Sequence, residues 1–212
     1  MLAFFLFLSR LEDESGETEV SISKISKHRY EKLLSEGGFE RKTVHLDTPS
    51  DPLVIPAFQW TPDADEPTQY REYLAWLERY FPPREDLQYY NGSNSPELLT
   101  TANATPRFRL KGTTDVAVVE KMYVASDNVS SGIRVAIKLK KTPAGKHVMQ
   151  AVTELLCATA KSNFTVVVVL TDLGEYFQFF WLRAREVYLR LEARTPQGGG
   201  RAEEPARFAP DA

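Results

Sequence analysis

Between residues 116 and 182 the apolar residues change period in an order that few folds accommodate. Val116-Ala117-Val118-Val119 is a short apolar run. From 133 to 140 the residues alternate without a break: Ile133, Val135, Ile137 and Leu139 on one side, Arg134, Ala136, Lys138 and Lys140 on the other. Successive strand side chains point to opposite faces, so this segment is a strand with one face for a core and one polar, accessible face. The intervening 125–132, with Ser, Asp, Asn and Gly, is expected to be a hairpin-type loop. Pro143-Ala144-Gly145 then breaks the chain. A helical period follows, with Val148, Val152, Leu155, Leu156 and Thr159 as the core stripe and Gln150, Glu154 and Lys161 on the opposite side. Residues 164–170 form a continuous apolar run, the mark of a strand covered on both faces. The aromatic-rich 176–182 is another strand. Strand, strand, helix, buried strand, strand predicts a mixed α/β sheet with a helix on at least one face.

Upstream, 22–34 is expected to be a short helix stopped by Gly37-Gly38. Residues 48–67 are crowded with Pro and Asp and should be irregular apart from Phe58-Gln59-Trp60. The helix over 68–81 carries Tyr70, Leu74, Leu77 and Phe81 as its stripe and is stopped by Pro82-Pro83. A short helix over 96–102 and a strand over 107–110 lead into the region above, and 183–194 is expected to be a basic-edged terminal helix.

The chemistry-bearing residues cluster in the same region. Gly112-Thr113-Thr114-Asp115 heads one strand, Lys138 and Lys140 end the next, and Gln150 lies on the following helix. An antiparallel pairing of the two strands brings Asp115 to the Lys138–Lys140 end. This arrangement resembles the PD-(D/E)xK, restriction-endonuclease-like nuclease fold. Gly132-Ile133-Arg134-Val135, Gln150-Ala151 with Glu154-Leu155, and Val169-Leu170-Thr171-Asp172-Leu173 running to Phe179-Phe180-Trp181-Leu182 are similar to the C-terminal domain of Crinkler-type oomycete effectors. The resemblance covers about residues 105 to 183, and Phe4-Phe5-Leu6-Phe7-Leu8-Ser9-Arg10 is similar to that family's Leu-x-Leu-Phe-Leu-Ala-Lys translocation motif. It implies a nuclease-like core over 96–194; composition and period add an α-rich accessory region over 21–95, a mobile segment over 1–20, acidic and turn-rich at 11–19, and a disordered tail over 195–212, with Gly198-Gly199-Gly200 and three Pro. It also implies secretion and action inside host cells, including the nucleus, on nucleic acid or host proteins.

In the resembling fold two carboxylates hold Mg²⁺ beside the scissile phosphate, and a Lys two residues past the second carboxylate assists the attacking water. Asp115 matches the first carboxylate and metal ligand, Lys140 the catalytic Lys, and Gln150 the helix Gln. Lys138 stands where the second carboxylate belongs. Asp115, Lys138 and Lys140 together carry a formal +1, and an ammonium at about 4 Å costs a divalent cation several kcal/mol even at an effective dielectric of about 20. Mg²⁺ binding is therefore expected to be weak unless Glu154, or secondarily Glu97, supplies the missing carboxylate. Three function classes follow: an impaired nuclease-like domain that binds phosphate-rich ligands or host proteins, an active Mg²⁺-dependent nuclease using Asp115, Glu154, Lys140 and Gln150, and a pure interaction scaffold.

The net charge of -3 excludes nucleic-acid binding by bulk positive charge. Any phosphate binding must be local, and Arg134, Lys138, Lys140, Lys141 and Lys146 are the candidates. Lysines guarding a strand edge against aggregation are the plainer explanation for the same residues. The single cysteine, Cys157, forms no internal disulfide, and the dispersed His28, His45 and His147 form no zinc framework. The apolar start, residues 2–8, is too short to cross a bilayer, so no membrane association is expected.

Overall fold

A computed structural model describes residues 18–44, 55–105 and 108–193. The expected segments 1–20 and 195–212 fall largely outside them. The described chain is mixed α/β: a seven-stranded sheet and a three-stranded sheet with helices between and over them. The strands are β1 (Thr18–Ser21), β2 (Glu40–Thr43), β3 (Leu87–Asn91), β4 (Thr101–Thr105), β5 (Phe108–Lys111), β6 (Val116–Glu120), β7 (Ile133–Leu139), β8 (Val167–Thr171), β9 (Tyr176–Arg183) and β10 (Glu186–Ala193). The helices are α1 (Lys27–Gly37), α2 (Tyr70–Tyr80), α3 (Lys121–Ala125) and α4 (Gly145–Lys161).

The large sheet runs β2-β10-β9-β8-β7-β6-β3. Strands β3, β6 and β7 pair antiparallel, with β4 and β5 diverted between β3 and β6 into the small sheet. Helix α4 then crosses over and returns the chain as β8, parallel to β7, and β9 and β10 continue antiparallel. The small sheet runs β1-β5-β4. Among the described residues no helix is long and apolar enough to cross a membrane.

Both faces of β7 are covered, so the accessible polar face expected for it does not exist. On one face Val135, Ile137 and Leu139 pack with Val116, Leu173 and the α2 residues Tyr73 and Leu77, rimmed by Phe58, Trp60 and Trp76. On the other, Ala136 joins α4 through Val152 and Leu155, together with Val168, Phe180 and Leu33. A register shift between Val118 and Val119 takes Ile133 out of alternation and into this second core.

Helix α4 reverses its expected orientation around Gln150 and Glu154. Both are buried, while Val148 and Thr159 are half-exposed. The helix touches β7, β8 and β9 on one side and β4 and α1 on others, so nearly its whole middle is interior. An amphipathic stripe specifies one buried face and says nothing of a second partner.

Other expectations fail for local reasons. Residues 96–102 hold a turn and the start of β4 rather than a helix, and 125–132 holds the end of α3 and a 3-10 turn. The segment expected to be a terminal helix instead forms β10 over Glu186–Ala193, because Val187, Leu189 and Leu191 alternate at period two and Ala184, at φ 55°, makes the turn from β9. Trp181 and Tyr188 stack across that hairpin at 5.5 Å. The run 164–170 becomes a strand only at Val167, and Val167 and Val169 are half-buried because α2 covers the β7 side of that face alone. The span expected to be an α-rich accessory region contributes β2 and β3 to the large sheet, one at each edge.

Candidate functional site

The site lies at the carboxyl end of β7, where the loop before β6 meets it. Gly92, just after β3, lets the chain pack closely against that loop: a Cβ there would sit 2.2 Å from the Thr114 carbonyl oxygen. Thr113 donates its hydroxyl to the Gly92 carbonyl at 2.6 Å, and Thr114 donates to the Ile137 carbonyl at 3.0 Å. With Val116 opposite Ile137, Asp115 arrives beside the end of β7 as the antiparallel pairing requires. Its Oδ2 accepts the Leu139 N–H at 2.8 Å and lies 3.7 Å from Lys138 Nζ.

Lys138 points under α4 and is 8 % exposed. Its ammonium is 3.0 Å from Oε1 of Glu154, whose side chain is fully buried. An ammonium thus stands between two carboxylates, one from the strand entry and one from the helix. Neither Glu154 oxygen accepts a well-aligned hydrogen bond, so charge rather than direction holds the contact. Burial pushes the Glu154 carboxyl up to about 7 against the pull of Lys138. For Lys138, burial opposes the charge, but Glu154 and Asp115 outweigh it and the ammonium is held more tightly than in water.

The remaining predicted residues separate. Gln150, one turn before Glu154, donates to the Ser23 carbonyl at 2.6 Å and ties α4 to the 3-10 turn at Ile22–Lys24. Lys140 turns away from Asp115 and pairs with Glu66, which also accepts the Lys141 N–H at 3.1 Å. The Lys141 ammonium donates to the carbonyls of Thr61 at 2.6 Å, Pro62 at 3.1 Å and Ala64. Arg134 lies four strand residues before Lys138, about 13 Å away at strand rise. There it forks onto Glu120 at 2.7 and 2.9 Å and covers the Phe164 ring at 3.6 Å. Four of the five cations expected to cluster are therefore dispersed among three separate sets of partners, with Arg134 remote from the others, and Lys146 is exposed. Glu97, the second-choice carboxylate, pairs with Lys111 at 3.0 Å. His147 accepts the Ala144 N–H on Nδ1 at 3.0 Å, and burial, with Lys140 and Lys146, lowers its pKa. Its place is the cap of α4.

The charge balance also differs from the sequence expectation. Two carboxylates now face one buried ammonium, a formal -1, and Lys140 is neutralised separately by Glu66. Sequence reasoning missed Glu66, which is 74 positions from Lys140 in a Pro- and Asp-rich stretch without periodicity. Glu120 was missed as well, though it ends the same strand that Asp115 opens. No family model matches this chain, and no curated protein matches it.

Proposed function

We propose that this chain is a Crinkler-type effector domain with a restriction-endonuclease-like core, and that its nuclease site is silenced by Lys138. The antiparallel pairing of β3, β6 and β7, the crossover helix α4 and the parallel strand β8 support the core assignment, with Asp115 beside the end of β7. One observation carries the silencing: the Lys138 ammonium lies 3.0 Å from Glu154 and 3.7 Å from Asp115. Mg²⁺ takes oxygen ligands and is anchored by carboxylates facing a common gap. Here the gap already contains a cation on a tether, and the residues do not fit a divalent ion. Glu154 is the migrated carboxylate that an active nuclease would use, but Lys138 separates it from Asp115. The domain acts as a binding module for nucleic acid or host proteins, secreted and delivered into the host cell.

Calorimetric titration of Mn²⁺ and Mg²⁺ into wild type and Lys138→Glu, with cleavage assays on single- and double-stranded DNA, tests this. Wild type should bind neither ion appreciably and cleave nothing. Lys138→Glu should gain at least tenfold in metal affinity, and adding Asp115→Ala should remove the gain. Metal-dependent cleavage by the wild type would establish the active-nuclease reading with Asp115, Glu154, Lys140 and Gln150 instead.

A further inference from the structure

The cations nearest the silenced site are both occupied by one short stretch of chain. Residues 61–66 enter the 3-10 turn Glu66–Gln69 and then α2. Glu66 meets Lys140 through Oε2 and the Lys141 N–H through Oε1, while the carbonyls of Thr61, Pro62 and Ala64 cap the Lys141 ammonium. Three donors, two of them charged, thus converge on one side of the β7 terminus. All three are taken by this stretch.

The donors belong to the rigid part of the fold. The Lys140 N–H donates to the Thr171 carbonyl at 3.0 Å, extending the β7–β8 ladder past the end of the strand. Besides its contacts to those donors, the stretch is tied by the Gln69 side chain to the 3-10 turn that follows it. Gln69 accepts the Thr61 N–H at 2.7 Å and donates to the Ala64 carbonyl at 3.2 Å. Burial raises the Glu66 carboxyl, but Lys140 and the Lys141 N–H outweigh it and keep Glu66 ionised. A resident carboxylate bridging an ammonium and a backbone N–H is the arrangement a bound anion adopts.

We propose that residues 61–66 are a strap whose Glu66 carboxylate stands in for a phosphate group, and that releasing the strap opens a phosphate site made by Lys140 and Lys141. The donor count favours phosphate over a carboxylate ligand. Both carboxylate oxygens of Glu66 are engaged, one by Lys140 and one by the Lys141 N–H, whereas a tetrahedral phosphate presents a further oxygen, out of that plane, to the Lys141 ammonium once its carbonyl cap is gone. The cleft outside the closed strap, about 410 Å³ and lined by Pro62, Asp63, Ala64, Asp65, Glu66, Pro67 and Lys141, is acidic. That field repels anions while the strap is shut, so the site answers to phosphate only when the strap lifts. The inference stands on the Lys140 and Lys141 contacts and does not require the nuclease-like reading.

The test titrates inorganic phosphate and, separately, the phosphodiester dinucleotide dTpT into wild type, Glu66→Gln and Gln69→Leu, read by calorimetry at low salt. Gln69→Leu loosens the strap while leaving every phosphate donor in place, so it serves if Glu66→Gln does not fold. Either variant should bind at least one of the two probes tenfold or more tightly than wild type, and Lys140→Ala in the same background should abolish the gain. A gain for dTpT identifies a phosphodiester ligand, and a gain for inorganic phosphate alone identifies a free phosphate or monoester. No gain in either folded variant, or a gain that survives Lys140→Ala, overturns the proposal. None of these readouts depends on Lys138 or on metal, so failure here and failure of the silenced-nuclease reading are separable.

Discussion

The two faces of β7 solve the same burial problem by opposite means. Toward α2, Val135, Ile137 and Leu139 meet Tyr73, Leu77 and an aromatic rim, and the contact is shape and apolar area alone. Toward α4, one residue along, Lys138 is buried against Glu154 with Asp115 at its edge. Apolar packing loses stability in proportion to what is removed and to the cavity left behind. A buried ion pair behaves differently: losing one partner strands the other's charge, whereas losing both together is often tolerated. The α4 face should therefore be the less forgiving to single changes and the more forgiving to paired ones.

The largest effect expected on this comparison is at Lys138. Lys138→Ala should cost about 4 kcal/mol at pH 8, where the stranded Glu154 carboxylate has no counter-ion. Lys138→Met with Glu154→Leu should recover most of that loss. Urea unfolding of the three proteins measures both, and a double variant no more stable than Lys138→Ala would erase the distinction between the faces.

Next in size is the apolar side. Leu139 is fully buried in the α2 cluster, and Leu139→Ala should cost about 3 kcal/mol. Here no second substitution restores stability by neutralising a partner. A loss below about 1 kcal/mol would mean that the aromatic rim collapses into the gap.

The smallest effect is a pH dependence confined to the α4 face. Glu154 titrates near 7 when folded and near the ordinary carboxyl value of about 4.5 when unfolded. Between those values the native state holds a proton that the unfolded chain has released. Its contribution is thus fully present below about 4.5 and is lost as pH rises through 7; the part crossed between pH 5 and 8 is about 2.5 kcal/mol. His147, with a lowered pKa, acts in the opposite sense over the lower part of this window. The difference between wild type and Glu154→Gln isolates the carboxyl: unfolding profiles from pH 5 to 8 should converge at the acid end and diverge above pH 6. Parallel profiles would show that Glu154 is ionised throughout.

Local pattern was enough for the elements whose partners are near in sequence. The strand over 133–139, the helix over 145–161, the strand over 176–183 and the approach of Asp115 to Lys138 all follow from period, breakers and one antiparallel pairing. Where a local preference was misjudged, as at 183–194, the period-two alternation of Val187, Leu189 and Leu191 was present but was outweighed by the basic residues around it. Lys138 and Glu154 were visible as residues but not as a pair, because amphipathicity assigns a polar residue to the outside unless something else covers it. The small sheet and α1 cover α4 from the far side, and that long-range packing forces Glu154 inward against the Lys138 ammonium. Glu66 reaches Lys140 across 74 positions through a stretch with no period at all. The chain's own order of apolar residues determined which strands and helix surround the site. Tertiary packing decided the protonation and pairing of its charges, because those depend on what is excluded from water, and local sequence does not encode that.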